Sequence, residues 1–320
     1  MAKLLYIETV GCQMNVLDSE LVATGLARTG YQPTDSRRKA DVILFNTCSV
    51  RQHAEDKVYS ALGRLKHLKD QHPHRIIGVI GCMAQKDQGL IFRRAPHVDL
   101  VLGPGRLGRL PELLDLITAG AGPQMEVSLQ RGSAPALAVA ESFQSRISSR
   151  RDPAGQPSNQ AMVRIMFGCN NLCTYCFVPS VRGPEQSRSV DEIEAEVRQL
   201  ADQGCLEITL LGQTVNSYKH RGRGQRTYRL SDLLYRLDDI AGLRRLKFVT
   251  NYPGHMTDDL IQAVRDLPKV SHYLHVPAQS GSDRILKRMK RAYTVGYYRE
   301  MLERIRQAIP DAAITSDFIV

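Results

Sequence analysis

Nowhere does the 320-residue sequence hold a run approaching the ~18 apolar residues that a membrane helix requires. The start, MAKLLYIETVGCQMN, lacks the long apolar core and small-residue cleavage site of a secretory signal peptide. Seven cysteines without such a signal point to a reducing compartment and to metal or catalytic use rather than disulfides. A second C-x2-C pair is missing as well, which weakens a structural zinc site with its usual four protein ligands. What is present is ordinary for a soluble globular chain: 42% hydrophobic and 24% charged residues, in a length sufficient for two domains. The formal net charge of +10 favours an anionic partner such as RNA.

The densest chemistry lies in MVRIMFGCNNLCTYCFVPSVRGPEQSR, residues 162–188. Cys169, Cys173 and Cys176 are spaced C-x3-C-x2-C on a loop just past a short apolar strand. Three thiolates so close can hold three irons of a cubane cluster and leave the fourth iron open to an external molecule. The competing reading is a structural zinc site, for which the later Cys205 is poorly placed because it precedes its strand.

Residues 1–120 alternate strand and helix patterns. Strands are expected at 3–9, 41–46, 75–80 and 98–102, with helices near 18–29, 53–68, 85–94 and 107–118. This order implies a doubly wound parallel sheet. Cys12, Cys48 and Cys82 each follow one of the first three strands, at the carboxyl end where open α/β sheets bind ligands. Gly11 and Gly81 precede two of them, suiting a tight turn or a close backbone approach. Three buried, inert thiols are the alternative, but the shared placement favours one site.

Between residues 121 and 160 the periodicity fades into a Ser-, Ala-, Pro- and Gly-rich connector with a basic knot at Arg150 and Arg151 and one short strand expected near 138–143. After it the alternation resumes. Strands are expected at 207–211, 245–250, 271–276 and 313–320, with helices at 190–203 (Ser189 as N-cap), 231–240, 258–266 and 282–307. Gln213 and Asn216 follow the second strand of this half, and Gln279 and Ser280 the fourth, so both pairs face the carboxyl ends. Polar turn residues are the plain alternative. Basic clusters at Lys219–Arg229 and Arg284–Arg291, with Arg182 and Arg188, suit phosphates, and Tyr218, Tyr228 or Tyr293 could stack on a base. His272 and His275 read as packed strand histidines rather than ligands.

The motif at Cys169–Cys176, with Tyr175 before the last cysteine, resembles that of radical S-adenosylmethionine enzymes. Together with ETVGCQMN, NTCSVR, GVIGCMAQ, ITLLGQTVNSY, HVPAQSGSDRILKRMKR and ITSDFIV, it is similar to the methylthiotransferases of the MiaB type, which act on tRNA. The resemblance covers nearly the whole chain except the connector. Phe167 stands where many relatives carry Arg.

That resemblance implies an N-terminal methylthiotransferase domain (1–120), the connector (121–160) and a partial (βα)6 radical-SAM barrel (161–320), incomplete at its C-terminus and without the family's C-terminal RNA-binding barrel. It implies two [4Fe-4S] clusters, one on Cys169, Cys173 and Cys176 and an auxiliary one on Cys12, Cys48 and Cys82. S-adenosyl-L-methionine would be contacted by Tyr175, Gln213, Asn216, Gln279 and Ser280. Reductive cleavage would give methionine and a 5′-deoxyadenosyl radical, which suits an adenine C–H that is not acidic and bears no leaving group. The implied substrate is isopentenylated adenosine next to the anticodon in a tRNA anticodon stem-loop. An electron donor such as flavodoxin or ferredoxin, a monomeric state, a cytoplasmic location and no membrane association belong to the same expectation. Other enzymatic readings are methylthiolation of another tRNA base or of a ribosomal protein. A reading of another class is a non-catalytic iron–sulfur or zinc RNA-binding module.

Overall fold

The computed structural model describes residues 2–49, 52–129 and 158–320. The described residues fall into two units: residues up to 129 together with Ser180–Gly183, and residues 158–179 together with Pro184–Val320. The expected division near 121–160 therefore holds in outline, except that four residues of the central motif belong to the first unit. The strand expected near 138–143 and the basic knot at 150 and 151 lie outside the described residues.

The first unit is a six-stranded sheet of β1 (Lys3–Val10), β2 (Tyr31–Pro33), β3 (Val42–Thr47), β4 (Ile76–Gly81), β5 (Leu100–Leu102) and β6 (Gln124–Glu126). Its order is β2-β1-β3-β4-β5-β6, with every pair parallel. β3 and β4 are buried along their whole length, VILFNT and IIGVIG, because helices cover a parallel sheet on both faces. Ile43, Phe45, Ile77 and Val79 pack with Val58 and Leu62 of the helix Gln52–Gln71 and with Met83 and Ile91. β2 and β6 were not legible in the sequence, since three residues are too few to display a period.

The first helix spans Gln13–Ala27, five residues earlier than the acidic start at Asp18 suggests. Cys12 is its N-cap, and the Asn15 side chain accepts a hydrogen bond from the Cys12 amide at 3.3 Å. The helix expected at 85–94 is two short ones, Cys82–Asp87 and Gly89–Arg94, broken at Gln88 with φ of 46°.

In the second unit the strands Gln160–Arg164, Glu207–Leu211 and Arg245–Phe248 form one parallel sheet in sequential order. A parallel bridge from Leu246 to Val270 leads to the parallel pair Tyr273–His275 and Ala313–Thr315. Helices Val190–Asp202, Leu230–Asp238, Asp258–Asp266 and Val295–Ala308 alternate with these strands. Ser189 caps the first of them, accepting from the Glu192 amide at 3.2 Å. The single helix expected over 282–307 is divided into Asp283–Arg288 and Val295–Ala308, with Lys290 at φ 55° between them and Thr294 capping the second. The expected polar loop after Leu211 contains a hairpin, Lys219–Arg221 against Thr227–Arg229. Among the described residues no helix is long and apolar enough to cross a membrane.

Beneath the carboxyl ends of β1 and β3 lies a fully buried polar knot. Asn46 accepts from the Asn15 amide group at 2.9 Å and donates to the Asn15 carbonyl at 2.8 Å and to Ser19 Oγ at 2.9 Å. Replacing Asn46 with Ala deletes all three bonds in a dry environment. The expected cost is roughly 1–3 kcal/mol, since buried groups then go without their partners. Urea denaturation should show a lowered midpoint with an unchanged slope; an unchanged midpoint would contradict this account.

Candidate functional site

In the first unit, parallel register sets three strand ends level: Val10 pairs with Thr47, and Thr47 with Gly81. Cys12, Cys48 and Cys82 follow these residues by one or two positions, and the Cys48 amide donates to the Val10 carbonyl at 3.0 Å. The sheet order changes direction between β1 and β3, the switch point at which open α/β sheets receive ligands. Gly81 has φ of 90°, and a side chain there would strike Asn46 Oδ1 at 2.4 Å and the Thr47 carbonyl at 3.0 Å. Glycine at this position thus lets the chain turn from strand directly into the helix that Cys82 opens.

Cys12 is exposed, whereas Cys48 and Cys82 are buried. The Cys12 thiol is lowered to about 5, first by its hydrogen bond with Cys48, against burial, and further by the Arg182 guanidinium. Burial pushes the Cys82 thiol up, against the pull of the same guanidinium. Arg182 is fully enclosed and donates to Asp18 at 2.9 Å. It is thus a buried cation beside the cysteines rather than an RNA-facing residue, a correction to its sequence reading. Its partner Asp18 carried no signal, because an acidic residue inside a helix pattern reads as solvent-facing.

In the second unit the loop Cys169–Cys176 begins at Gly168, φ 72°, after a two-residue strand containing Phe167. Phe167 is buried and pairs with Gln186, so its place in this loop entry is a packing position. Each thiol has a defined neighbour. Thr214 Oγ1 is 3.3 Å from Cys169 Sγ, and the Asn171 amide donates to the same sulfur at 3.4 Å. The Val178 amide donates to Cys176 Sγ at 3.5 Å, and Arg291 Nη1 to Cys173 Sγ at 3.4 Å. The loop is tied to a distant segment: Thr174 donates through its amide to the Met289 carbonyl at 3.2 Å and through its hydroxyl to the Arg288 carbonyl at 3.1 Å. Leu172, Tyr175 and Phe177 are exposed on this loop.

Gln213 and Thr214 follow the strand Glu207–Leu211, and Gln279 and Ser280 follow Tyr273–His275. Gln279 adopts φ of 66°, held by a bond from its amide to the Asp317 carbonyl and by one from the Ile319 amide to its own carbonyl, both 2.9 Å. Asn216 is used differently from the expectation. Its amide group donates to the Tyr252 carbonyl at 2.9 Å, and its oxygen accepts from the Tyr252 amide at 2.8 Å, so both ends clamp backbone. Glu185, unremarked in the sequence, accepts from Ser217 at 2.7 Å, and its carboxyl is held up by burial. Cys205 is buried at the opposite strand end and donates to the Glu207 carbonyl at 3.3 Å, as its position suggested. His272 and His275 lie beside Asp311 and Asp317.

Among the described residues no group of three or more His, Cys, Asp or Glu side chains converges on a single metal ion. A cubane asks for something else: one thiolate at each of three corners, with backbone N–H groups and a cation turned towards the sulfurs. The Cys169–Cys176 loop supplies these donors. The donor chemistry at Cys12, Cys48 and Cys82 is compatible with the same group.

A family model described as the Radical SAM superfamily matches residues 163–320, and one described as Uncharacterized protein family UPF0004 matches residues 4–103. The chain is a radical S-adenosylmethionine enzyme, which implies S-adenosylmethionine and a [4Fe-4S] cluster as its cofactors. The radical S-adenosylmethionine methyltransferase TsrM from Kitasatospora setae shares the fold with a TM-score of 0.62 at 15% identity, over 99% of this chain and 67% of that one. The cobalamin-dependent S-adenosylmethionine radical enzyme OxsB does so with 0.61 at 12%, over 99% and 49%.

Curated relatives named tRNA-2-methylthio-N(6)-dimethylallyladenosine synthase are far more similar. That of Rhodopirellula baltica is 58% identical over 100% of this chain and 67% of its own length. That of Roseobacter denitrificans is 45% identical over 99% and 69%. The chain belongs to this family of radical methylthiotransferases and spans about two thirds of the length of these relatives.

Arg188, also read as a phosphate contact, is buried and donates to Glu196 at 2.7 Å and to the Arg164 carbonyl at 2.6 Å. Replacing Arg188 with Met should therefore act on folding. Breaking a buried ion pair costs about 3–5 kcal/mol. Thermal denaturation should register that destabilisation while the salt dependence of RNA binding by the remaining folded protein stays as it was.

Proposed function

We propose that this chain installs a methylthio group at carbon 2 of isopentenylated adenosine next to the anticodon of tRNA, with a second [4Fe-4S] cluster on Cys12, Cys48 and Cys82. The observation that carries the reading is the level ending of β1, β3 and β4, which brings three cysteines distant in sequence to one sheet edge. Activity on tRNA agrees with the names of the relatives. The sequential parallel strands of the second unit support an incomplete (βα)6 barrel with its ligand side at the carboxyl ends.

When bound, the cluster on Cys169, Cys173 and Cys176 together with S-adenosylmethionine supplies the radical chemistry that an unactivated C–H demands. The chain's own residues hold and orient. Amides of Asn171 and Val178 and the Arg291 guanidinium face the loop sulfurs, and Thr174 anchors the loop to the 288–289 backbone. Tyr175, Gln213, Gln279 and Ser280 flank the place for S-adenosylmethionine, while Asn216 contributes by fixing Tyr252. An electron donor such as flavodoxin or ferredoxin, a monomeric enzyme and a cytoplasmic setting complete the proposal.

The two cysteine sets have separable tasks. Anaerobically reconstituted protein should hold about eight irons and each single-set variant about four. Cys48→Ala should lose methylthiolation yet still cleave S-adenosylmethionine to 5′-deoxyadenosine. Cys173→Ala should lose both. If the Cys48 variant retains its other cluster but no longer cleaves, the division of labour is wrong.

For tRNA, the hairpin Lys219–Arg229 offers charge that the buried arginines do not. Lys219 and Arg221 are exposed on its first strand. Changing both to Ala should make the slope of log affinity against log salt shallower by roughly 1.4–1.8, at about 0.7–0.9 for each phosphate left without its cation. An unaltered slope would place the RNA elsewhere.

A further inference from the structure

Arg291 belongs to the run RILKRMKR, whose arrangement of charge suggests a solvated or phosphate-binding surface. Its guanidinium lies inward instead. Nε donates to Tyr293 Oη at 3.0 Å, Nη2 to the Pro277 carbonyl at 3.3 Å and Nη1 to Cys173 Sγ at 3.4 Å. The Tyr252 and Tyr293 ring centroids stand 4.6 Å and 5.2 Å from Cζ. The two rings meet edge to face at 5.6 Å, and both are 7% exposed.

The cage is itself fixed. Tyr293 donates to the Ala278 carbonyl at 2.8 Å, and Tyr252 Oη accepts from the Ala292 amide at 2.9 Å. Asn216 holds the Tyr252 backbone from both sides. A line of fixed contacts thus runs from Asn216 through Tyr252 to Arg291 and ends on a cysteine sulfur. Every guanidinium nitrogen has a directed partner, which a planar fork can satisfy and an ammonium cannot.

We propose that Arg291 is a positioning residue that sets the reduction potential of the cluster on Cys169, Cys173 and Cys176 by holding a caged positive charge and a hydrogen bond on Cys173. The proposal rests on the reading of these cysteines as cluster ligands. Reduction adds one electron from an external reductant to the cluster and no proton, so the reduced state carries one more negative charge. A cation held in a half-buried site favours that state over the oxidised one, and an N–H donated to a ligand sulfur acts in the same sense. Removing Arg291 therefore makes the cluster harder to reduce.

The test is an anaerobic dithionite titration of the reconstituted full chain, followed by electron paramagnetic resonance. The signal that changes on adding S-adenosylmethionine identifies the cluster in question. At a fixed ambient potential Arg291→Gln should lower the ratio of reduced to oxidised cluster by about tenfold, equivalent to about 59 mV for a one-electron couple. Arg291→Lys should recover part of that drop. Arg288→Gln, which removes an exposed charge from the same segment, should change the ratio less than twofold.

An unchanged ratio in fully loaded Arg291→Gln, or equal shifts in the Arg291 and Arg288 variants, overturns the proposal. Should Arg291→Gln fail to load iron, Tyr293→Phe decides. It removes the acceptor of Nε and should lower the ratio severalfold, and no change there overturns the proposal equally. Absence of any signal responsive to S-adenosylmethionine in the unmodified chain would instead remove the underlying reading of the cysteines.

Discussion

Parallel register is the constraint from which the first unit's chemistry follows. In a parallel sheet every strand runs in the same direction, so all carboxyl ends gather on one edge. Val10, Thr47 and Gly81 stand side by side there, and whatever follows each strand is delivered to the same place. Three cysteines up to 70 positions apart need no long loops to meet, because the ladder carries them. The polar knot of Asn15, Asn46 and Ser19 lies directly under this edge and fixes the helix that Cys12 caps. Buried polar groups of this kind are costly unless fully partnered, and here they specify one arrangement of the strand ends.

The second unit meets a different difficulty. Its three cysteines share a short loop with exposed Leu172 and Phe177, so the loop buries little apolar surface of its own. The ordering entropy of such a segment must be offset by contacts from elsewhere. Thr174 reaches the 288–289 backbone, Cys169 meets Thr214 and Cys173 meets Arg291. All of these partners lie at least 38 positions further along the chain. The loop is thus local in sequence but held by non-local contacts.

Much of this was legible in the sequence. Long apolar runs such as VILFN and RIIGVI marked the central strands, and the cysteines placed after them lie where strand periodicity put them. The C-x3-C-x2-C spacing identified the second site without any structure. Edge strands Tyr31–Pro33 and Gln124–Glu126 escaped because they are too short to show alternation. Asn216 misled for another reason: a polar residue near a strand end can face a ligand or clamp a backbone, and only coordinates reveal which carbonyl and amide it meets. The break at Lys290 inside an otherwise helical pattern was hidden for want of a glycine or proline to mark it.

Charge was the least legible property, and its redistribution changes what the net excess of +10 means. Sequence counts every arginine alike, yet Arg182 and Arg188 are enclosed with Asp18 and Glu196, and Arg291 is turned onto a thiol. A buried guanidinium offers nothing to a phosphate, because its field is taken up by the carboxylate or sulfur beside it. The cations left for an RNA backbone are those on exposed elements, with Lys219 and Arg221 of the hairpin foremost among those beside the second unit's strand ends. Arginine therefore has two uses here that composition merges into one. At the surface its charge can attract a polyanion over a Debye length, whereas in the interior its fixed fork acts only on the group it touches. The three inward arginines depend on partners far away in sequence or on a turn that no local pattern announces, which is why the same residue type in the same kind of run ended in opposite places.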